Sequence, residues 1–172
     1  MSNPSLFFAI AGISMSFAGF SGLFLALRPH GTEWQGYEIG QINAIILYAL
    51  TTLFGAMLVV PIASLIGESA GLRVMSAAIL VPAFYGHQVR VGTSWLRWSQ
   101  LRSDVSRREL FVEIAPFALV AIAEQTLLLV NFLVPTQELY ELALILMLGT
   151  PALVFAWVVT HLESSGSADR AS

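Results

Sequence analysis

The 172-residue sequence contains no cysteine and no lysine, and charged residues make up only 11% of it. Without cysteine the chain has no disulfide, no thiolate metal ligand and no thiol nucleophile. Without lysine it has no amine to form a Schiff base, which excludes retinal-type and pyridoxal-type proteins. Gly-rich phosphate loops and the HExxH and GxSxG motifs are missing as well. The sequence indicates no enzyme class, and we expect no metal and no other cofactor.

The composition places the chain in a lipid bilayer. Hydrophobic residues make up 56% of the sequence, and the mean hydropathy is +0.76. Soluble domains are about 45–50% apolar and about 25% charged. This apolar composition with few charges argues against a basic face for nucleic acid. We therefore expect a multi-pass integral membrane protein that binds no nucleic acid.

Five apolar segments are long enough to span a membrane, which takes roughly 20 residues. The sequence thus predicts an all-α, polytopic transmembrane helical bundle with one domain, 1–162, and a disordered polar tail, 163–172. The third segment is the weakest, because it contains Pro82, His87 and Arg90. In a four-span alternative it would be re-entrant or interfacial. The predicted spans are 5–27, 41–66, 72–92, 112–134 and 139–162.

The arginines predict the orientation of the bundle. With five spans, six of the eight arginines fall on the side that carries the loops 28–40 and 91–111 and the tail, and Arg90 borders that side. Only Arg73 falls on the other side. By the positive-inside rule, the N-terminus lies outside and the C-terminus in the cytoplasm. Residues 91–108 form either a basic loop that fixes the topology or, given their apolar helical stripe, an interfacial amphipathic helix or an extension of the third span.

Small residues gather on one half of the first span. They form small-xxx-small pairs, which allow helix backbones to approach closely in lipid. This pattern predicts a tight helix contact, either with another span of the same chain or with another subunit. The residues that we expect at this contact are Gly12, Ser16, Gly19 and Gly22.

Glu124 is the most informative polar residue, because it lies near the middle of the fourth predicted span. A charged carboxylate at that depth costs several kcal/mol unless it is neutralised or paired. Gln125 is adjacent, Asn131 follows seven residues later, and Glu113 precedes Glu124 by eleven residues. Spacings of seven and eleven return to nearly the same helix face. Glu113, Glu124 and Asn131 therefore form a polar stripe that we expect to face the bundle interior.

The neighbouring spans supply candidate partners for this stripe. In the third span, His87 lies about 7–8 Å along the helix from Pro82, and Arg90 lies deeper in the interface. Tyr48 and Thr52 of the second span add hydroxyl groups. One interpretation is a proton or ion path with Glu124 as the titrating carboxyl and His87 as a relay. The other is a protonated or paired Glu124 that holds helices together.

Three functions remain open. The first is a non-catalytic accessory or interaction subunit, which fits the short loops and the small-residue face. The second is an oligomeric proton or ion channel, or a small transporter, built on Glu124. The third is a membrane enzyme or cofactor protein with a site at His87. A membrane-protein partner or a homo-oligomer is expected for the first two.

The order of features resembles that of small bacterial inner-membrane proteins: a Gly-rich first span, a basic third loop and a closing helical hairpin. The resemblance implies a location in the bacterial inner membrane. It assigns a role to no residue.

Overall fold

The computed structural model describes the backbone of residues 4–27, 36–100 and 107–168 and the side chains of residues 4–23, 42–88 and 115–156. Apart from the short turns at 67 and 134–136, this part of the chain is helical, with no strand. Five helices follow one another. They are α1 (Pro4–Leu27), α2 (Gly36–Ile66), α3 (Glu68–Gln100), α4 (Arg107–Leu133) and α5 (Gln137–Ala168).

Each of the five helices is long and apolar enough to cross a membrane, which confirms the five-span prediction. The four-span alternative is wrong for the third segment, because α3 runs through Pro82 without a break. A proline removes one backbone hydrogen bond, and the neighbouring turns of a long helix tolerate that loss. The orientation of the termini stays a prediction.

The helices extend beyond several predicted boundaries. Helix α3 continues to Gln100, as expected if the amphipathic stripe extends the third span. Helix α5 continues to Ala168, into the tail that its composition predicts to be disordered. Once a helix has formed, each further residue adds a hydrogen bond, and 163–168 contains no proline to stop it. Residues 28–35 and the side chains of Arg90, Glu113 and all four tryptophans lie outside the described residues.

The helices form a ring in chain order, closed by a contact between α1 and α5. Helices α2 and α5 also pack against each other across this ring. Their contact places the largest buried side chains in the middle, Tyr48 on α2 and Tyr140 on α5 among them. Side chains therefore fill the centre of the bundle, and α2 and α5 each contact the helices on either side as well as each other.

The outer surface is apolar along all five helices. Large hydrophobic side chains are exposed on each one, for example Phe8, Phe54, Val81, Leu119 and Leu142. Soluble monomers rarely expose contiguous apolar patches of this extent, whereas a bilayer solvates them. Several polar residues are buried, so polar side chains lie inside the bundle while large apolar ones face outward. They are Ser14, Ser21, Thr51, Thr52, Ser76, Glu124, Asn131, Gln137 and Thr150.

The small-residue face of α1 is turned away from the rest of the chain. Gly12, Ser16, Gly19 and Gly22 are exposed, and a Cβ added to any of the three glycines would meet no atom within 4 Å. Within the described residues no span packs against these glycines, so a contact of this face stays a prediction. Helix α1 packs inward through Phe7, Ile10 and Ala11.

Glycine shapes the tight turn between α2 and α3. Gly67 has φ +91°, a left-handed conformation that suits glycine. Gly71 follows at the start of α3, where its N–H donates to the carbonyl of Gly67. A Cβ on Gly71 would lie 2.6 Å from Ala63 Cα and 2.8 Å from Ala63 N. The two helix backbones thus touch at this turn.

We expect Gly71→Ala to destabilise the protein by about 1–3 kcal/mol, because the added methyl group meets backbone atoms that cannot move aside. Unfolding of the purified protein in detergent, followed by circular dichroism, measures this change. Gly12→Ala is the matched control. It adds the same methyl group in open space, where alanine stabilises a helix by about 0.5–1 kcal/mol over glycine. Equal effects of the two changes would contradict the close contact at Ala63.

Candidate functional site

Glu124 lies at the centre of the site. It belongs to the candidate span Ala115–Leu133 of α4 and is fully buried, with 0% of its surface exposed. Neither carboxyl oxygen has a hydrogen-bond partner among the described residues. Buried polar atoms are nearly always partnered in native proteins. An unpaired carboxyl group in the middle of a membrane-length helix is therefore the feature that most needs a physical explanation.

Two hydroxyl groups from other helices lie beside this carboxyl. They belong to Tyr48 of α2 and Thr150 of α5. Both residues are buried, with 1% and 3% of their surfaces exposed. Neither hydroxyl completes a hydrogen bond with the carboxyl oxygens. The site thus joins three helices around groups that are adjacent but unbonded.

The hydroxyl of Tyr48 is engaged elsewhere. It donates to the carbonyl of Ala83 on α3, with 3.1 Å between the oxygens. Gly86, one turn further along α3, makes room for the ring, because a Cβ there would lie 2.9 Å from Tyr48 Cε2. Thr52 donates to the Tyr48 carbonyl at 2.8 Å. Tyr48 is therefore held between Ala83, the residue after Pro82, and the carboxyl of Glu124.

Thr150 is the third member of the site. Its Oγ1 atom is buried without a hydrogen-bond partner in the described part of the chain. Thr51 and Thr52 show the usual alternative, since each donates to a carbonyl one turn earlier. The next residue, Pro151, has no N–H, so the Met147 carbonyl lacks its helical donor. Helix α5 therefore presents an unused hydroxyl, and a carbonyl without its helical donor, within one turn.

Gln125 follows Glu124 but faces another way. It is half-buried at the base of a groove of about 540 Å³ between α3 and α4, which Phe84 and Leu129 also line. Its Nε2 atom is buried and has no partner among the described residues. The two neighbouring polar residues of α4 thus point to different surroundings.

Asn131 lies on the same helix as Glu124 and is equally buried, but it is fully bonded. Its Nδ2 donates to Ser76 Oγ of α3 at 2.9 Å, and its Oδ1 accepts from the Thr136 N–H at 2.8 Å. Thr136 in turn caps α5 through the Leu139 N–H at 3.4 Å. Asn131 therefore fastens the α4–α5 turn to α3, and it makes a structural contribution.

The predicted partnership between Glu124 and His87 is only partly addressed by the structure. His87 is half-buried on α3, one turn after Ala83. The carboxyl oxygens of Glu124 accept no hydrogen bond from it, so no direct bond forms between them. Contact through water stays a prediction, as do the roles of Arg90 and Glu113. No group of three acidic or His side chains that could hold a metal occurs in the described part of the chain.

Sequence reasoning found Glu124, Tyr48 and Asn131 but missed Ser76, Gly86 and Thr150 as their partners. Two signals were present. The Gly149-Thr150-Pro151 triplet breaks the apolar pattern of α5, and a glycine four residues after Pro82 leaves space on α3 one turn beyond the proline. Neither signal identifies which helix supplies the neighbour.

Comparisons with protein-family models, with curated proteins and with solved structures find no match to this chain. The geometry of the site is therefore the basis for a function.

We expect Asn131→Ala to destabilise the protein by about 1–3 kcal/mol, because it leaves the Thr136 N–H and the Ser76 hydroxyl buried without their partner. Detergent unfolding measures the loss. Thr126→Val is the control, since Thr126 is exposed and donates only within α4, to the Ile122 carbonyl. If both substitutions cost the same, the cross-helix bonds of Asn131 do not stabilise the fold.

Proposed function

We propose that the chain is an integral membrane protein that binds and releases a proton, or a small cation, at Glu124. One observation carries this proposal: a fully buried carboxyl with no partner for either oxygen, set between two hydroxyl groups in the middle of a membrane-length helix. A group that only held helices together would be expected to be bonded, as Asn131 is. A bound proton or cation neutralises the carboxylate and removes the cost of burying its charge.

The composition of the bundle supports an ion path that involves more than one copy. Helices α2 and α5 meet across the ring of helices, and their buried side chains fill its middle. A single copy of five helices therefore has little room for a pore of its own. We infer an oligomeric channel or small transporter in which each copy contributes one ion-binding carboxyl.

Glu124→Gln should abolish proton flux without unfolding the protein, because glutamine keeps the shape of the side chain and cannot lose a proton. The measurement uses the purified protein in liposomes with an imposed pH gradient and an internal pH-sensitive dye. A second series with a sodium gradient and a sodium-sensitive dye distinguishes a cation from a proton.

Glu138→Gln is the matched control, since Glu138 is exposed at the start of α5. It makes the same chemical change outside the site and should leave flux intact. Flux that survives Glu124→Gln, or wild-type liposomes that conduct neither ion, would contradict the proposal.

A second candidate function, an interaction subunit, is favoured by the open face of α1. Gly12, Gly19 and Gly22 lie on one side of α1, and no atom of the described residues would lie within 4 Å of a Cβ added to them. In lipid, such small residues allow helices to approach closely. A helix of a partner membrane protein would fit against this face.

We expect replacement of Gly12 and Gly19 together by leucine to reduce a complex with that partner about tenfold, which corresponds to about 1.4 kcal/mol. Native mass spectrometry after gentle extraction from the membrane measures the fraction of complex. Ala77→Leu, at an exposed position of α3, is the control for added bulk. A wild-type protein that carries no other polypeptide would reject this candidate for any stable partner.

A further inference from the structure

The hydroxyl of Tyr48 has one proton and two acceptors within its surroundings. One acceptor is the Ala83 carbonyl, to which it donates at 3.1 Å. The other is the carboxyl of Glu124, which lies beside it and accepts no hydrogen bond. A hydroxyl group donates a single hydrogen bond. Tyr48 can therefore serve either α3 or α4 as a donor, but not both at once.

The charge on Glu124 determines which acceptor is the stronger. A protonated carboxyl is a weak acceptor, so the bond to the Ala83 carbonyl is preferred. An ionised carboxylate is a much stronger acceptor, since hydrogen bonds to charged groups are about twice as strong as neutral ones. In a low-dielectric interior this difference increases.

We propose that Tyr48 couples the charge on Glu124 to the link between α2 and α3 by exchanging acceptors: its hydroxyl donates to Ala83 while the carboxyl is protonated, and to Glu124 once the carboxyl is ionised. The inference rests on the proposed function only in requiring that Glu124 exchange a proton. Tyr48 acts here as a positioning residue, because it directs its own proton without transferring it.

Loss of the bond to Ala83 has a consequence for α3. Pro82 already removes one backbone hydrogen bond from this helix, the one that the Ala78 carbonyl would accept. The Tyr48 bond is a cross-link between α2 and α3 at the residue that follows Pro82. When the hydroxyl turns to Glu124, the cross-link is released, and the segment after Pro82 gains freedom to move.

The groups around Glu124 allow a clear test. Among the described residues, α2 supplies Tyr48, α5 supplies the hydroxyl of Thr150, which does not titrate, and α3 carries His87 one turn after Ala83. Tyr140 is a natural control. It is also buried, and it donates to a backbone carbonyl, that of Gly55, at 3.0 Å.

The experiment is infrared difference spectroscopy of the full-length protein in lipid nanodiscs, recorded between acidic and alkaline pH in sodium-free buffer. Ring-deuterated tyrosine identifies tyrosine bands in the unmodified protein. We expect the loss of a protonated-carboxyl band and, with it, a shift of one tyrosine ring C–O band. Glu124→Gln should remove both signals, and Tyr48→Phe should remove only the tyrosine signal. Tyr140→Phe should keep both.

Each alternative outcome identifies what fails. A carboxyl band that disappears with no shift of any tyrosine band, or a tyrosine shift that survives Tyr48→Phe, overturns the exchange of acceptors and leaves Glu124 as a proton site. If no carboxyl band changes while the protein stays folded, Glu124 exchanges no proton. Both the proposed function and the Tyr48 coupling are then wrong.

Discussion

Hydrogen bonds between helices determine how this bundle is arranged, because its outer surface offers polar groups no partner. Side chains on all five helices expose large apolar groups, so a polar side chain inside either finds its partner inside or has none. Among the described residues, cross-helix bonds join Tyr48 to Ala83, Tyr140 to Gly55 and Asn131 to Ser76. They connect α2 to α3, α5 to α2, and α4 to α3. Each bond fixes the depth and rotation of one helix against another, which apolar contacts alone specify poorly.

The same bonds explain where glycine is required. A tyrosine ring that reaches across to a neighbouring backbone needs a position without a side chain close by. Gly86 provides this space for Tyr48. The Gly55 carbonyl accepts the hydrogen bond of Tyr140. The absence of a side chain at Gly55 also lets Ile79 and Leu144 pack closely against α2. The glycines of α1 have no such contact, which separates glycines that build the fold from those on an open face.

The sequence predicted the fold class and the five spans because both depend on hydrophobicity summed over about 20 residues, a local property. It also predicted that Glu124 and Asn131 lie inside, since their cost in lipid depends on depth along a single helix. It did not predict that Asn131 binds Ser76 or that Thr150 lies beside Glu124. Those contacts depend on the rotation of each helix about its axis. For α1 the small residues predicted a tight contact with another span or with another subunit, and among the described residues Phe7 and Ile10 are the ones that pack inward.

Glu124 and Asn131 share a helix and a degree of burial, and they differ in what surrounds them. Asn131 donates and accepts within the bundle, so burying it costs little and fastens two elements. Glu124 has neighbours that could bond to it, yet Tyr48 is engaged with Ala83, and Thr150 Oγ1 makes no hydrogen bond in the described part of the chain. A nearby donor that makes no other hydrogen bond among the described residues, as Thr150 Oγ1 does, makes the site cheap to reorganise when its charge changes. Such reorganisation fits the proposed exchange of a proton at Glu124.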